Sequence, residues 1–334
     1  MTASDRHEGI ILVADDNAAN RELLSALLIA EGYEVVSVEN GQQALDRMDG
    51  DFIDLVLLDV VMPGRTGFEV CQAIKSKPET RLIPVVLCTG LNSDADRIHG
   101  ILCGADDFLN KPINKQELLA RVHSLLRLKH FTDELDNAEA VLFSLALTIE
   151  AKDPYTEGHC DRLSKYSVAM GEKLGLSEEL RLALRRGGLI HDIGKLAVPE
   201  HILLKPGPLT AEERKIMEQH TVIGERICAP LRSFRNVLPI IRHHHEKQDG
   251  SGYPDGLKGA QVPLTARILQ ITDIYDALTT DRPYRKALPQ EKAFAIMREE
   301  AKRGWWDGSL IDQLELLVRE AAPQLSNVGA ENEG

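Results

Sequence analysis

Residues 10–128 alternate short apolar runs with stretches of helical periodicity, and this alternation constrains the fold more than any other feature of the chain. The apolar runs lie at Ile10–Ala14 and at residues 35–38, 55–58, 85–88 and 108–109. Each run is followed by a segment in which apolar residues recur with a helical period, such as Ala18–Ala30 and residues 114–128. Five such units predict a flavodoxin-like, doubly wound sheet of five parallel strands.

Polar side chains follow these runs, where the carboxyl ends of parallel strands share one crevice. Asp15 and Asp16 follow the first run, and Asp59 follows the third. Three carboxylates in one crevice repel one another unless a divalent cation lies among them, and Mg²⁺ suits such a site. Thr89 and Lys111, after the fourth and fifth runs, suit a phosphoryl group. Any one of these residues alone is typical of a solvated turn or a helix N-cap.

Over residues 8–128 the chain resembles the receiver domain of two-component response regulators. The residues that carry the resemblance are Asp15, Asp16, Asp59 within LLDVVMPG, Thr89, Phe108 and Lys111-Pro112. The resemblance implies that Asp59 accepts a phosphoryl group from a cognate histidine kinase. It also implies that Asp16 and Asp59 bind Mg²⁺, with Asp15 acting through water.

The same resemblance assigns the conformational switch of the domain. Thr89 and Lys111 are expected to contact the phosphoryl oxygens, and Phe108 to turn inward as they do. The Lys111-Pro112 peptide is expected to be cis, which X-Pro bonds tolerate.

Residues 118–151 contain neither proline nor glycine, and their apolar residues recur with helical spacing. This pattern favours one long helix or two abutting helices. The acidic residues at 133, 134, 136 and 139 are typical of a solvated face. The functional alternative is a signalling helix through which the protein forms a homodimer.

After Asp153-Pro154 the strand pattern ends and the sequence predicts an all-helical domain. Helices are expected at residues 157–174, 178–191, 211–228, 238–246, 266–278 and 290–303. The predicted domain boundaries are 1–124 for the receiver-like domain, 125–152 for a helical connector, 153–323 for the helical domain and 324–334 for a disordered tail.

Histidine is concentrated in this second half, where seven of the eleven lie between His159 and His245. Five histidines and two aspartates stand in otherwise apolar helices: His159, His191, Asp192, His220, His244, His245 and Asp273. Any one such histidine is typical of a hydrogen-bonded core residue, but the set favours metal coordination, which satisfies several buried polar groups at once. Nitrogen and oxygen ligands without thiolate suit two divalent ions, iron or manganese first and cobalt, nickel or zinc after them.

The loop HHEKQDGSGYPDGL and its partner motifs resemble the HD-GYP domain. Over residues 140–325 the match comprises GHCDRLSKY, HDIGK, His220, HHEKQDGSGYP and DIYDALTTDRPYR. The resemblance implies a phosphodiesterase that hydrolyses the bacterial second messenger cyclic di-GMP to linear pGpG, and in many members on to GMP, with a binuclear metal-activated hydroxide. Together with the receiver it implies a response regulator controlled by phosphorylation of Asp59.

Individual roles also follow from this resemblance. The implied metal ligands are His159, His191, Asp192, His220, His244, His245 and Asp273, with Asp192 as the bridge. Asp192 and Lys195 are the implied catalytic residues, and the lysine contacts the scissile phosphate. The implied substrate-binding residues are Lys195, Arg282, Arg285 and Tyr253. The signature loop contains Gly252, Tyr253 and Pro254, and Glu246 and Asp249 are expected to order it.

Two details of the match are open. Any two of the three consecutive histidines His243, His244 and His245 fit the twin-histidine motif, and the glutamate that follows favours the latter two. Members with three metals carry a glutamate four residues before the first histidine, and that position is Tyr155 here. We therefore expect two metals and activity that stops at pGpG.

The charge and apolar composition of the chain limit its partners and location. The chain has 39 basic and 52 acidic residues, and the net charge of −13 lies wholly within residues 1–158. Binding of long nucleic acid is therefore disfavoured, while a short dinucleotide remains compatible. No apolar run approaches a membrane span, which predicts a cytoplasmic protein. The alternatives are a catalytically weak cyclic di-GMP sensor or interaction module, with the GYP loop as a docking surface, and a phosphohydrolase for another nucleotide. The HD-GYP resemblance also suggests diguanylate cyclase (GGDEF) proteins as partners that bind the GYP loop.

Overall fold

The computed structural model describes residues 9–90, 94–152, 158–281 and 286–326. The chain divides into two units, Met1–Ala138 and Glu139–Gly334. Within the described ranges, no helix is both long enough and apolar enough to cross a membrane.

The first unit contains the predicted five-stranded parallel sheet, with strand order β2-β1-β3-β4-β5. Its strands are β1 (Ile10–Ala14), β2 (Glu34–Val38), β3 (Leu55–Asp59), β4 (Val85–Thr89) and β5 (Asp107–Asn110). The helices between them are α1 (Ala18–Ala30), α2 (Gly41–Met48), α3 (Gly67–Ser76) and α4 (Asp94–Leu102). The doubly wound fold is thereby confirmed.

Alternation along each strand divides the core between the two faces of this sheet. In β1, Leu12 belongs to one buried cluster, and Ile11 and Val13 belong to the other. All residues of β3 and β4 are buried, as expected for central strands covered by helices on both faces. Asp59 and Thr89 are the last residues of these two strands, so both lie at the same edge of the sheet.

One continuous helix, α5 (Lys115–Lys152), follows β5 and settles the choice between one long helix and two abutting helices. Its Leu118 and Val122 belong to the core of the first unit, and its Ala146 and Ile149 belong to the core of the second.

The second unit is helical, as predicted, and the β-structure in its described residues is one bridge between Asp249 and Lys258. Its helices are α6 (His159–Lys173), α7 (Glu178–Ile190), α8 (Glu200–Leu203), α9 (Ala211–Glu218), α10 (His220–Cys228), α11 (Leu238–His243), α12 (Leu264–Thr279), α13 (Gln290–Lys302) and α14 (Gly308–Ser326). A 3₁₀ helix, Ile193–Ala197, follows α7. Helix α14 extends into the region predicted as a tail, and residues 327–334 lie outside the described ranges.

The prediction of a single helix over residues 211–228 was wrong, because the segment divides at Gln219 into α9 and α10. The backbone N–H of Gln219 bonds to the carbonyl of Ile216, a tighter turn than that of an α-helix. The break makes His220 the first residue of α10.

Candidate metal centre and receiver crevice

In the first unit the carboxylates predicted to bind Mg²⁺ converge at the edge of the sheet. Ligand atoms of Asp15, Asp16 and Asp59 all lie within 4.8 Å of one another. The ammonium of Lys111 lies 2.8 Å from Asp15 Oδ2 and 2.8 Å from Asp59 Oδ2. Burial raises the pKa of Asp59 against the opposing effect of this ammonium. The crevice thus combines acidic ligands with one cation at the predicted phosphoacceptor.

The predicted switch residues Thr89 and Phe108 lie on the two strands β4 and β5. Thr89 is buried at the end of β4, and Phe108 is partly buried in β5. The Phe108 ring packs so closely on α4 that a Cβ at Gly100 would lie 2.4 Å from Phe108 Cε1. The Lys111-Pro112 peptide is cis, as expected.

In the second unit all seven residues predicted as metal ligands fall into two adjoining groups. Ligand atoms within each group lie no more than 4.8 Å apart. One group consists of Asp192, His220, His244 and His245, and the other of His159, His191 and Asp273. The groups meet at Asp192, whose Oδ2 lies 3.4 Å from His191 Nε2.

The ends of helices bring these ligands together. Helix α7 ends at Ile190, and the adjacent residues His191 and Asp192 belong to different ligand groups, so the 100° rotation that separates neighbours on a helix does not prevent both from ligating. His159 and His220 begin α6 and α10, whereas Asp273 lies within α12.

Gly194 fixes the position of His220 in this arrangement. A Cβ on Gly194 would lie 1.8 Å from the backbone oxygen of His220, so only glycine permits this approach. The contact places His220 Nε2 3.3 Å from Asp192 Oδ1.

Hydrogen bonds to backbone carbonyls orient three of the imidazole rings. The Nδ1 atoms of His191, His220 and His244 lie 3.3, 2.7 and 2.8 Å from the carbonyl oxygens of Gly188, Met217 and Ile241. Because a carbonyl only accepts, each Nδ1 carries a proton, and each ring in its neutral form presents the lone pair of Nε2 to the centre.

This tautomer assignment tests whether the residues fit a cation. His220 Nε2 and His244 Nε2 lie 3.4 Å apart with their lone pairs facing each other. Asp192 Oδ1 is buried beside them and has no hydrogen-bond partner. Lone pairs that converge without a donor repel unless a cation lies among them, so the residues fit a divalent metal.

The pKa values are consistent with metal ligation. Burial lowers the pKa of His245 to about 3 and holds the pKa of His244 well below its usual value, so both rings stay neutral. Burial raises the pKa of Asp192, but Lys195 and His191 outweigh it and bring the pKa well below the usual value. Neutral imidazoles around an ionised carboxylate are the protonation states that a metal requires.

The predicted substrate-contacting residues are only partly within the described ranges. Lys195 Nζ lies 2.6 Å from Asp192 Oδ2, at the edge of the centre. The Tyr253 ring packs on His245, with ring centroids 4.9 Å apart. The described residues do not include Arg282 and Arg285. They also exclude Tyr155, the position at which members with three metals carry a glutamate.

The signature loop is held by a buried carboxylate. Glu246 is fully buried and accepts hydrogen bonds from the backbone N–H groups of Asp255, at 2.7 Å, and Leu257, at 3.0 Å. Asp249 accepts a hydrogen bond from the N–H of Ser251 at 2.8 Å. Glu246 and Asp249 therefore order the loop, as expected.

His243 lies apart from the metal centre. Its ring groups with Glu246 and Asp255, on the side of the loop. The structure therefore directs His244 and His245, and not His243, into the centre.

Two carboxylates at this centre were missed by the sequence analysis. Glu150 of α5 lines a small cavity together with His159, His191 and Asp192. Asp276 of α12 lies beside His159. The available signal for Asp276 was its spacing, since it follows Asp273 by three residues and shares that face of the helix.

An acidic receiver crevice followed by a helical histidine and aspartate centre defines a response regulator with a metal-dependent output domain. Residues 11–123 match the response regulator receiver domain, and residues 144–310 match the HD domain.

Two curated relatives match nearly the whole chain, and a third matches about half of it. A probable cyclic di-GMP phosphodiesterase of Vibrio cholerae is 35% identical over 93% of this chain and 78% of its own length. The cyclic di-GMP phosphodiesterase response regulator RpfG of Xanthomonas campestris is 34% identical over 91% of this chain and 86% of its own. A 3'3'-cGAMP-specific phosphodiesterase of V. cholerae is 42% identical over 49% of this chain and 36% of its own. The chain belongs to the family of response regulators that carry an HD output domain.

Proposed function

We propose that this protein hydrolyses cyclic di-GMP to linear pGpG at the centre formed by the two ligand groups. The observation that carries the proposal is the convergence of His220 Nε2, His244 Nε2 and Asp192 Oδ1 without a donor among them. Two relatives that span most of the chain carry the name of this activity.

The metal ligands, Lys195 and Tyr253 would have separate roles in phosphodiester cleavage. Two divalent cations held by the seven ligands, which we propose to be iron or manganese, would supply Lewis acid chemistry that activates water and stabilises phosphoryl oxygens. Lys195 would donate a hydrogen bond to a non-bridging phosphate oxygen as charge develops there. The Tyr253 ring packs on the imidazole of His245 and would hold that ligand in position.

We further propose two metals per chain and pGpG as the final product, on the basis of Tyr155. Metal analysis of anaerobically purified protein should find two ions per chain. Three ions per chain, or accumulation of GMP, would overturn this part of the proposal.

The receiver is proposed to control the output domain. The convergence of Asp15, Asp16 and Asp59 supports Mg²⁺ binding, and Lys111 beside Asp59 supports phosphorylation of that residue by a histidine kinase. Residues 125–152 would serve as the connector, because the single helix α5 extends through them.

We propose that the connector also forms a homodimer. Leu128, Phe131 and Leu135 are each at least half exposed and recur at intervals of three and four residues, the spacing of a coiled-coil seam. A Phe131→Glu variant should then sediment as a monomer where the unaltered protein sediments as a dimer.

A second partner, a GGDEF diguanylate cyclase, is proposed to dock on the signature loop, which exposes Ser251 and Asp255.

A second candidate substrate is 3'3'-cGAMP, favoured by the relative that is 42% identical over 49% of this chain. A catalytically weak sensor is not favoured, since all seven ligand positions carry ligating side chains.

Competition between the two cyclic dinucleotides tests the assignment. Protein reconstituted anaerobically with Mn²⁺ would receive equimolar cyclic di-GMP and 3'3'-cGAMP, and chromatography would follow both. Faster loss of cyclic di-GMP with appearance of pGpG supports the proposal. Preferential loss of cGAMP would transfer the assignment to the second candidate, and loss of neither would refute both.

A further inference from the structure

His159 is oriented differently from the three ligand histidines whose Nδ1 faces a backbone carbonyl. Its Nδ1 lies 2.7 Å from the carboxylate oxygen Oδ2 of Asp276. Its Nε2 lies 3.5 Å from Asp273 Oδ1, on the metal side of the ring. The two ring nitrogens of His159 therefore face two carboxylates of the same helix, α12.

Asp276 is buried and firmly held. It is 3% exposed, and Arg162 donates from Nε to Oδ1 at 2.6 Å and from a terminal nitrogen to Oδ2 at 3.1 Å. Burial raises the pKa of Asp276, but His159 and Arg162 outweigh burial and lower it. Asp276 is thus an ionised acceptor whose geometry is fixed from two sides.

An ionised carboxylate affects a metal-ligating imidazole in two ways. It keeps the ring proton on Nδ1, so that Nε2 of His159 stays available as a ligand. It also polarises the ring and makes Nε2 more basic than a carbonyl partner does, and loss of such a partner costs 10–100-fold in metal affinity. The Nδ1 atoms of His191, His220 and His244 each face a backbone carbonyl instead.

We propose that Asp276, held by Arg162, is a positioning residue that strengthens one of the two metal sites selectively. The site strengthened is the one formed by His159, His191 and Asp273, and the group around His220 does not depend on Asp276. The inference rests on the metal centre of the proposed function and makes the two ions unequal.

Metal titration of the full-length, metal-free protein tests the proposal without substrate. Mn²⁺ binding would be measured by calorimetry for the unaltered protein and for Asp276→Asn. We expect two ions in the unaltered protein, whereas the variant should retain one site at its original affinity and bind the other ion 10–100-fold more weakly. Unchanged affinities, or equal weakening of both sites, would overturn the proposal.

Two further variants provide a matched control and a second test of the proposal. Asp161→Asn makes the same chemical change on α6, at an exposed residue paired with Lys165, and should leave both affinities unchanged. Arg162→Lys keeps a cation beside Asp276 but loses the two-point contact, and should weaken the same single site by a smaller factor. This variant still tests the proposal if Asp276→Asn fails to fold, because an unaffected site or a weakening of the other site would contradict it.

The result is separable from the proposed activity. If the unaltered protein binds two ions and the variant loses one selectively, the inference stands even if cyclic di-GMP is not cleaved. If cyclic di-GMP is cleaved but Asp276→Asn binds both ions normally, the inference fails and the activity stands.

Discussion

Lys195 donates a 2.6 Å hydrogen bond to Oδ2 of Asp192, the residue that joins the two ligand groups. The other oxygen of Asp192 faces His220 Nε2 at 3.3 Å. The carboxylate therefore lies between a cation at the rim and the imidazoles of the interior. This arrangement supports the proposed role of Lys195 as a hydrogen-bond donor to the substrate phosphate.

Substitution of this lysine should separate catalysis from metal binding. In Lys195→Met, both ions should still bind, because Asp192 and the histidines remain. Turnover of cyclic di-GMP should fall by about 10²–10³-fold, since a donor to the developing phosphoryl charge is lost. Steady-state kinetics and metal analysis of the same sample check this, with Lys165→Met on the exposed face of α6 as the control. Full activity in Lys195→Met would remove the lysine from the mechanism.

Metal binding should release a proton from His191. Burial lowers the pKa of this ring, but Asp192 outweighs it and the net pKa is raised. The metal-free ring therefore keeps its proton to higher pH than a free histidine, and a metal must displace it. Affinity should fall about tenfold per pH unit as pH decreases through that raised pKa. His244 and His245 add no such loss, because their pKa values are lowered.

Calorimetry of Mn²⁺ binding in buffers of different ionisation enthalpy measures this release. We expect binding to release more protons per chain at pH 6.5 than at pH 8.5, because His191 is protonated to a greater extent at the lower pH. Release that does not depend on pH would contradict the assignment.

Loss of the buried loop carboxylate should destabilise the second unit. In Glu246→Gln, an amide NH₂ replaces one of the two oxygens that accept the backbone N–H groups of Asp255 and Leu257. Two donors then face each other in a buried site, which costs about 1–3 kcal/mol. Thermal unfolding should show a lower Tm than that of the control Glu299→Gln, whose carboxylate is exposed and pairs with Lys302. Equal Tm values would show that Glu246 does not hold the loop.

Phosphorylation should require Asp59. Acetyl phosphate with Mg²⁺ should add one phosphoryl group to the unaltered protein, visible as a mass increase or a gel shift. Asp59→Asn should show none, while Asp46→Asn, at an exposed position on α2, should be labelled normally. Labelling of Asp59→Asn would place the phosphoacceptor elsewhere.

The sheet and its crevice could be predicted because their determinants are local. The run Ile10–Ala14 is the observed β1, and the acidic residues that follow it lie where parallel strands must end together. The single helix α5 was one of two predicted alternatives, and apolar periodicity alone does not distinguish a continuous helix from a broken one.

The support around the metal centre could not be predicted, because it depends on packing between distant segments. Asp276 meets His159 across 117 residues of sequence, and its spacing from Asp273 does not by itself show that it would contact a ligand on α6. The division at Gln219 likewise accompanies the close approach of Gly194 to His220, which no local pattern records.

Product identification with cyclic di-GMP tests the central claim most directly. The full-length protein, loaded anaerobically with Mn²⁺ or Fe²⁺, would be incubated with cyclic di-GMP beside an Asp192→Ala variant, and products would be identified by mass spectrometry. We predict multiple-turnover conversion to pGpG by the unaltered protein, and neither turnover nor bound metal in the variant. Intact cyclic di-GMP after incubation with protein that holds two ions, or equal cleavage by Asp192→Ala, would contradict the account.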